Sequence, residues 1–201
     1  MAAALSTGAS GINVRVIAGK FGSRTLKGPR EQAMRPTSDR LRETLFNILG
    51  AAIEDSVFVD AYAGTGAVGI EALSRGAKRV VFIEKHRSAV ALIRKNLAML
   101  GIEQDAEVLP TDAVKGLAWL ANEGTRADFI FLDPPYADVT EYARALEFLG
   151  KLSLLAPGGR VIVEHEKRRK LAANIGKLAR VRTVEQGDGV LSIYEWADLE
   201  K

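Results

Sequence analysis

The stretch VFVDAYAGTGAVGIEALSRG, residues 57–76, starts as an apolar run, turns on three glycines and continues as small and aliphatic residues. The apolar run predicts a buried strand over 57–61, and the segment 67–75 predicts a helix that stops at Gly76. Between them Gly64, Gly66 and Gly69 stand in the spacing G-x-G-x-x-G. Such glycines let the backbone approach a ligand with no side chain in the way, at a helix N-terminus whose N–H groups are free. Alone the pattern is a weak signal. It gains weight from the next apolar run, over 79–84, which ends in Glu84, twenty residues after Gly64. A carboxylate at the end of the second strand can accept both hydroxyls of a ribose.

The alternation continues outward. Helices are predicted over 87–100, 113–122 and 140–152, and strands over 106–109, 127–132 and 159–164, followed by a basic helical stretch over 167–175. Strand and helix in turn predict a parallel, doubly wound α/β sheet. The last two strands, near 179–185 and 190–196, have only Gln186-Gly187-Asp188-Gly189 between them, which forces an antiparallel hairpin at the sheet edge. A mostly parallel seven-stranded sheet closed by one antiparallel hairpin is the Rossmann-like architecture of class I S-adenosylmethionine-dependent methyltransferases. A plain dinucleotide-binding domain would end on another parallel strand. Before residue 51, the segments 13–17 and 24–26 predict a small hairpin. Thr37 or Ser38 can cap a helix whose Leu41, Leu45, Ile48 and Leu49 form one apolar stripe. The expected organisation is a tail over 1–12, a basic extension over 13–50 and a catalytic domain over 51–201.

Composition narrows the chemistry. The chain has 201 residues, 47% hydrophobic and 26% charged, which suits one folded domain with a small extension. No apolar run approaches the ~20 residues of a membrane span, and no signal peptide is read at the N-terminus. Cysteine is absent, which excludes disulfides, cysteine-ligated zinc and a thiolate nucleophile. His86 and His165 share no metal-ligand spacing and read as surface or strand-end residues. The net charge of +3 is unevenly spread: residues 15–42 carry eight basic side chains against Glu31 and Asp39, a net +6, so the rest is near −3. Such an asymmetry suits an N-terminal segment facing a polyanion, or a solvated basic face.

Two clusters remain as candidate sites. The first is the cofactor loop: Asp60, Tyr62, Gly64, Thr65 and Gly66, with Glu84 and, after the third strand, Asp112 and Ala113. Asp60 could orient the amino-acid part of S-adenosylmethionine and Asp112 could accept from an adenine amino group. Asp112 also reads as a helix N-cap. The second is Asp133-Pro134-Pro135-Tyr136, directly after a buried strand and therefore at the ligand-binding edge of the sheet. The prolines remove two donors and leave the Asp133 carboxylate and the Pro134 carbonyl as acceptors, with Tyr136 as a flat face. An exocyclic base nitrogen is a poor nucleophile because its lone pair is delocalised into the ring. Two acceptors on its N–H bonds favour the charge that develops as it attacks a methyl group, and an aromatic face holds a base taken out of its stack.

The blocks RPTSDRLRETLFN (35–47), DAYAGTGAVGIEALSR (60–75) and DPPY (133–136) together resemble the bacterial 16S ribosomal RNA guanine-N2 methyltransferase family, over residues 14–196. The first block discriminates, because Asp-Pro-Pro-Tyr also occurs in adenine methyltransferases. The resemblance implies methyl transfer from S-adenosylmethionine to a guanine N2 of the assembling or assembled small ribosomal subunit. It implies Asp133, Pro134 and Tyr136 at the target base, and an RNA-facing extension that includes Arg24, Arg35, Thr37, Arg40 and Arg42. A cytoplasmic monomer with no metal is expected. Arg42 could instead pair with Glu31 or Asp39, and Lys167-Arg168-Arg169-Lys170 is read as a solvated helix face rather than an RNA contact. Competing readings are methylation of an adenine or a protein amide, a nicotinamide-dependent oxidoreductase, which leaves Asp133 to Tyr136 idle, and a binding module without catalysis.

Overall fold

A computed structural model of the chain describes residues 14–28, 38–135 and 139–197. The chain enters through a short antiparallel hairpin, β1 (Val14–Arg15) and β2 (Thr25–Leu26), with Val14 opposite Leu26. Helix α1 (Asp39–Leu49) begins at Ser38, whose hydroxyl accepts from the Leu41 N–H at 3.2 Å, with Asp39 at the positive end of the helix dipole. Gly50 ends it, and one 3-10 turn (Gly50–Ile53) leads into the sheet. Then follow β3 (Val57–Asp60), α2 (Ala67–Ser74), β4 (Arg79–Ile83), α3 (Arg87–Leu100), β5 (Ala106–Leu109), α4 (Ala113–Asn122), β6 (Ala127–Leu132), α5 (Val139–Leu149) and β7 (Leu155–Glu166). The chain closes with β8 (Asn174–Ile175), β9 (Leu178–Gln186) and β10 (Gly189–Trp196).

The strands lie in the order β5-β4-β3-β6-β7-β10-β9-β8, with the first five parallel and the remaining pairings antiparallel. This is the doubly wound class I methyltransferase architecture expected from the sequence. The order reverses between β3 and β6, so the crevice at their carboxyl ends is the topological switch point where ligands bind.

Two expectations are corrected at the sheet's far edge. The segment 167–175 is not a helix, and the sheet carries an eighth, two-residue strand, β8, beyond the seven predicted. The backbone groups a helix would need are bonded elsewhere. The Leu171 carbonyl accepts from Arg180 Nη1, the Ala172 carbonyl from the Tyr194 hydroxyl and the Ala173 carbonyl from the Arg180 N–H, while Asn174 and Ile175 pair with β9. Tertiary pairing outcompetes a short local propensity.

The sheet is covered on both faces. One core layer packs Phe58, Phe82, Phe129 and Phe131 against α1, α2, α3 and the hairpin; the other packs Val59, Val81, Ile130 and Leu132 against α4 and α5. The basic extension is thus welded to the catalytic body: Val14, Val16, Leu26, Leu45 and Phe46 are buried in the first layer. Polar ties reinforce it. The Glu71 carboxylate on α2 is fully buried and accepts from the Ile17 N–H at 2.7 Å, the Ala18 N–H at 3.0 Å and Arg75 Nε at 2.7 Å. Asn96 on α3, also buried, exchanges two hydrogen bonds with the Lys27 backbone and donates a third to the Thr65 carbonyl at 3.1 Å.

Candidate active site

Three carboxylates stand in a row past the ends of adjacent parallel strands. Asp60 ends β3, is 1% exposed and accepts from the Gly69 N–H at 3.1 Å. Burial, with Glu84 adding to it and the Gly69 N–H opposing, pushes its carboxyl up to about 7. Glu84 follows β4 and is buried, and its two oxygens accept from the Gly64 N–H at 2.9 Å and the His86 N–H at 2.8 Å. It is therefore a fixed, inward carboxylate, not a surface one. Asp112 follows β5 and caps α4 through the Val114 and Lys115 N–H groups. The cap and the pocket-side position coexist, and Ala113 behind it is buried.

The glycine turn joins these acids. Gly66 adopts φ +79° at the N-cap of α2, a conformation that L side chains avoid. Gly69 allows α2 to lie on the sheet, since a Cβ there would sit 2.3 Å from a Phe82 ring carbon and 2.9 Å from Val80 Cγ1. Thr65 is buried in the same turn. Tyr62 reaches across to α5 and donates to Glu141 Oε2 at 3.0 Å. Burial and the Glu141 charge push the Tyr62 hydroxyl far above its ordinary value, so it stays a donor.

The donor set suits S-adenosylmethionine. Its ammonium, ribose hydroxyls and adenine amino group are all donors, and the row offers acceptors. At Gly64 a Cβ would meet nothing closer than the Tyr62 carbonyl at 4.0 Å, so the outer side of the turn is open for a ligand.

On the other side of the switch point, β6 ends in Leu132 and leads into half-buried Asp133, buried Pro134 and exposed Pro135. The Pro134 carbonyl is held: the hydroxyl of Tyr142 on α5, itself 2% exposed, donates to it at 3.1 Å. Burial and the Asp133 charge push the Tyr142 hydroxyl far above its ordinary value, so this donor is permanent. The Arg169 guanidinium lies over the Tyr142 ring at 4.4 Å. Tyr136 lies outside the described residues, as do Arg35, Thr37 and the tail 1–12.

Helix α5 was expected from the sequence, but the part its side chains play at the site was not. Glu141, Tyr142 and Arg144 support Tyr62, the Pro134 carbonyl and Asp112 respectively, the last through Arg144 Nη2 at 3.1 Å from Asp112 Oδ1. Only the fold brings α5 over both loops.

The charged extension divides. Arg24 and Arg40 are exposed, in line with a polyanion-facing surface. Arg42 is not: it is 0% exposed, donates to the Arg15 carbonyl at 2.6 Å and to Asp39 Oδ1 at 3.0 Å, and lies 4.0 Å from Glu71. Its assignment to RNA is corrected to an internal tie between α1, the hairpin and α2, since an enclosed guanidinium cannot reach a phosphate. His165 keeps the strand-end position expected of it. It stands near the end of β7 but is buried, with Nε2 on the Ser192 hydroxyl at 2.8 Å. Among the described residues no cluster of potential ligands could hold a metal, and no helix is long and apolar enough to cross a membrane. Lys167 and Arg168 pair with Glu185 and Glu166.

The chain is similar to known proteins. The family model described as "Conserved hypothetical protein 95" matches residues 14–195. The chain is 38% identical over 160 residues to ribosomal RNA small subunit methyltransferase D of Haemophilus influenzae, covering 79% of this chain and 81% of that protein. The solved structure of yhhF from Escherichia coli superposes with a TM-score of 0.79 at 33% identity, covering 92% of this chain and 98% of that one. An S-adenosylmethionine-dependent methyltransferase of Agrobacterium tumefaciens, 18% identical, shares the fold with a TM-score of 0.58 over 73% of this chain and 50% of that one.

Proposed function

This chain belongs to the conserved hypothetical protein 95 family, with the small-subunit rRNA methyltransferases D as relatives, and from that premise we propose that it methylates the exocyclic N2 of a guanine in 16S rRNA. The methyl donor is S-adenosylmethionine, whose sulfonium supplies an activated methyl group when bound. Asp60, Tyr62, Gly64, Thr65, Gly66, Glu84, Asp112 and Ala113 form its cradle. The substrate is the assembling or assembled small subunit, and the catalytic domain over 51–201 meets it with the extension over 13–50.

The observation that carries the reading is the pair of acceptors past β6 at the switch point: the Asp133 carboxylate and a Pro134 carbonyl already oriented by Tyr142. A carbonyl oxygen has two lone pairs, so the one not used by Tyr142 can accept an N–H of the target amine. With Asp133 accepting the other N–H, the nitrogen's lone pair turns out of conjugation and toward the methyl donor. The positive charge that develops on nitrogen is met by the Asp133 carboxylate, which can also accept the proton the product amine must shed. Tyr136, next in the chain, supplies the stacking face. Exposed Arg24 and Arg40, with Arg35 and Thr37, contact the RNA backbone.

The test is transfer of labelled methyl from S-adenosylmethionine to small subunits that lack the modification, followed by nucleoside mass spectrometry and mapping of the modified position. Label recovered as N2-methylguanosine is expected. Label in N6-methyladenosine would overturn the substrate, and label in protein would overturn the RNA assignment.

A further inference from the structure

The described surface holds a groove of about 590 Å³ between the start of α1 and the β9–β10 turn. Its walls include Ser38, Arg40, Leu41, Glu164, Lys167 and Gly189. That volume falls within the ~300–1,000 Å³ of ligand pockets. The rim mixes Arg40, Lys167 and Arg168 with Glu166 and Asp188, whereas Glu164 in its wall is 3% exposed. A buried carboxylate facing a groove repels phosphate and selects an N–H donor.

The register of the sheet places Glu164 beside the reaction site. On β6 and β7, Phe131 pairs with Ile162 and Leu132 with Val163. Phe131 and Ile162 belong to the core layer under α1, and Leu132 and Val163 to the opposite layer. Asp133 follows the last residue of β6 and Glu164 continues β7 past Val163, so extending the register by one residue sets the two next to each other in sequence order on neighbouring strands ~4.8 Å apart. The charges of both carboxylates act on the Tyr142 hydroxyl, which places one in the motif that meets the amine and the other, in the wall of the groove, within electrostatic reach of the same side chain.

We propose that Glu164 is the residue that selects guanine, accepting a hydrogen bond from its N1–H while Asp133 and the Pro134 carbonyl accept from N2. This rests on the guanine-N2 reading above. The chemistry discriminates sharply. Guanine presents N1–H and N2–H donors side by side on its Watson–Crick edge, whereas adenine presents a bare N1 acceptor beside its amino group. A carboxylate at Glu164 rewards the first and repels the second, and a flipped base is read on this edge.

The test uses 2-aminopurine, which keeps the N2 amine but has an acceptor at N1. Small subunits are reconstituted with guanine or 2-aminopurine at the position mapped above, and methyl transfer is measured for the wild type and for Glu164→Gln. The wild type is expected to prefer guanine by about 10- to 100-fold, the range of a hydrogen bond to a charged group. Glu164→Gln, whose amide can donate to a bare N1, is expected to shrink that preference by about 10-fold or more, whatever its absolute rate. A wild type active on both bases without preference would overturn the role of Glu164, independently of how the variant folds. So would an unchanged ratio in Glu164→Gln. A wild type that methylates neither base would overturn the guanine-N2 reading itself, and this assignment with it.

Discussion

Replacing Glu71 by Gln tests whether the N-terminal extension is bound into the catalytic body by one buried carboxylate. Glu71 has no exposed surface and serves the Ile17 and Ala18 N–H groups, at 2.7 and 3.0 Å, and Arg75 Nε at 2.7 Å, with Arg42 Nε at 4.0 Å. Arg42 is itself enclosed, and burial pulls its guanidinium below its ordinary value while Asp39 and Glu71 oppose that shift. Glutamine keeps the shape but loses the charge and replaces one acceptor with a donor. Either a backbone N–H or an arginine then faces an NH2 group. An unsatisfied buried donor costs about 1–3 kcal/mol, and breaking a buried ion pair from one side about 3–5 kcal/mol. These terms share one network and do not add, so about 3–5 kcal/mol is expected in total. For a chain of this size that corresponds to a fall in Tm of about 10 °C. Calorimetry measures it, and limited proteolysis should show the hairpin cut before the body. A Tm within about 2 °C of the wild type would refute the claim that this network holds the extension.

Further outcomes are expected at Asp60, at Tyr142 and at the arginines of the N-terminal segment. Asp60 ionises near 3.8 when free and about 7 in the fold, so between those values the folded state binds the extra proton and stability falls as pH rises through that window; Asp60→Asn should flatten the profile from pH 4 to 7 in denaturant titrations. Because the ionised form suits a cationic ligand, S-adenosylmethionine affinity should rise as pH passes about 7 and be about 10-fold weaker in the Asn variant, by calorimetric titration. Tyr142→Phe removes the donor to the Pro134 carbonyl but keeps the buried ring, so kcat should drop about 3- to 10-fold with KM and Tm nearly unchanged; an unaltered kcat would remove Tyr142 from the positioning of that carbonyl. Arg24→Glu combined with Arg40→Glu should weaken RNA binding and flatten its salt dependence, read by filter binding at two ionic strengths, whereas Arg42→Gln should lower Tm.

Much of this was legible in the chain because the signals are local. Alternating apolar runs and glycine stops mark β3 to β6 and α2 to α4 almost to the residue, since strand and helix periodicities are properties of neighbouring positions. The glycine turn and Glu84 were legible for the same reason: their spacing of twenty residues is one strand-helix-strand unit. The short connection Gln186-Gly187-Asp188-Gly189 announced the antiparallel hairpin because no crossover can be that short, and in the fold only Gly187 and Asp188 lie outside the strands.

Charge and polarity were not legible in the same way. Arg40 and Arg42 are two positions apart on α1, yet one is exposed and the other enclosed, because only packing decides which face of a helix meets Glu71. The stretch 167–175 looked helical but spends carbonyls on Arg180 and Tyr194 and pairs its last two residues with β9, partners further along the chain. Tyr142 and Glu164 carried no motif, and they matter because α5 folds back over the Pro134 carbonyl and because β7 lies in register beside β6. The sequence by itself determined the elements, their order and the acids at the strand ends, since these follow from local periodicity and turn chemistry. The tertiary structure alone decided which charges are buried, which carbonyl is held and which carboxylate lines the groove beside α1, since burial and register are set by residues far apart in the chain.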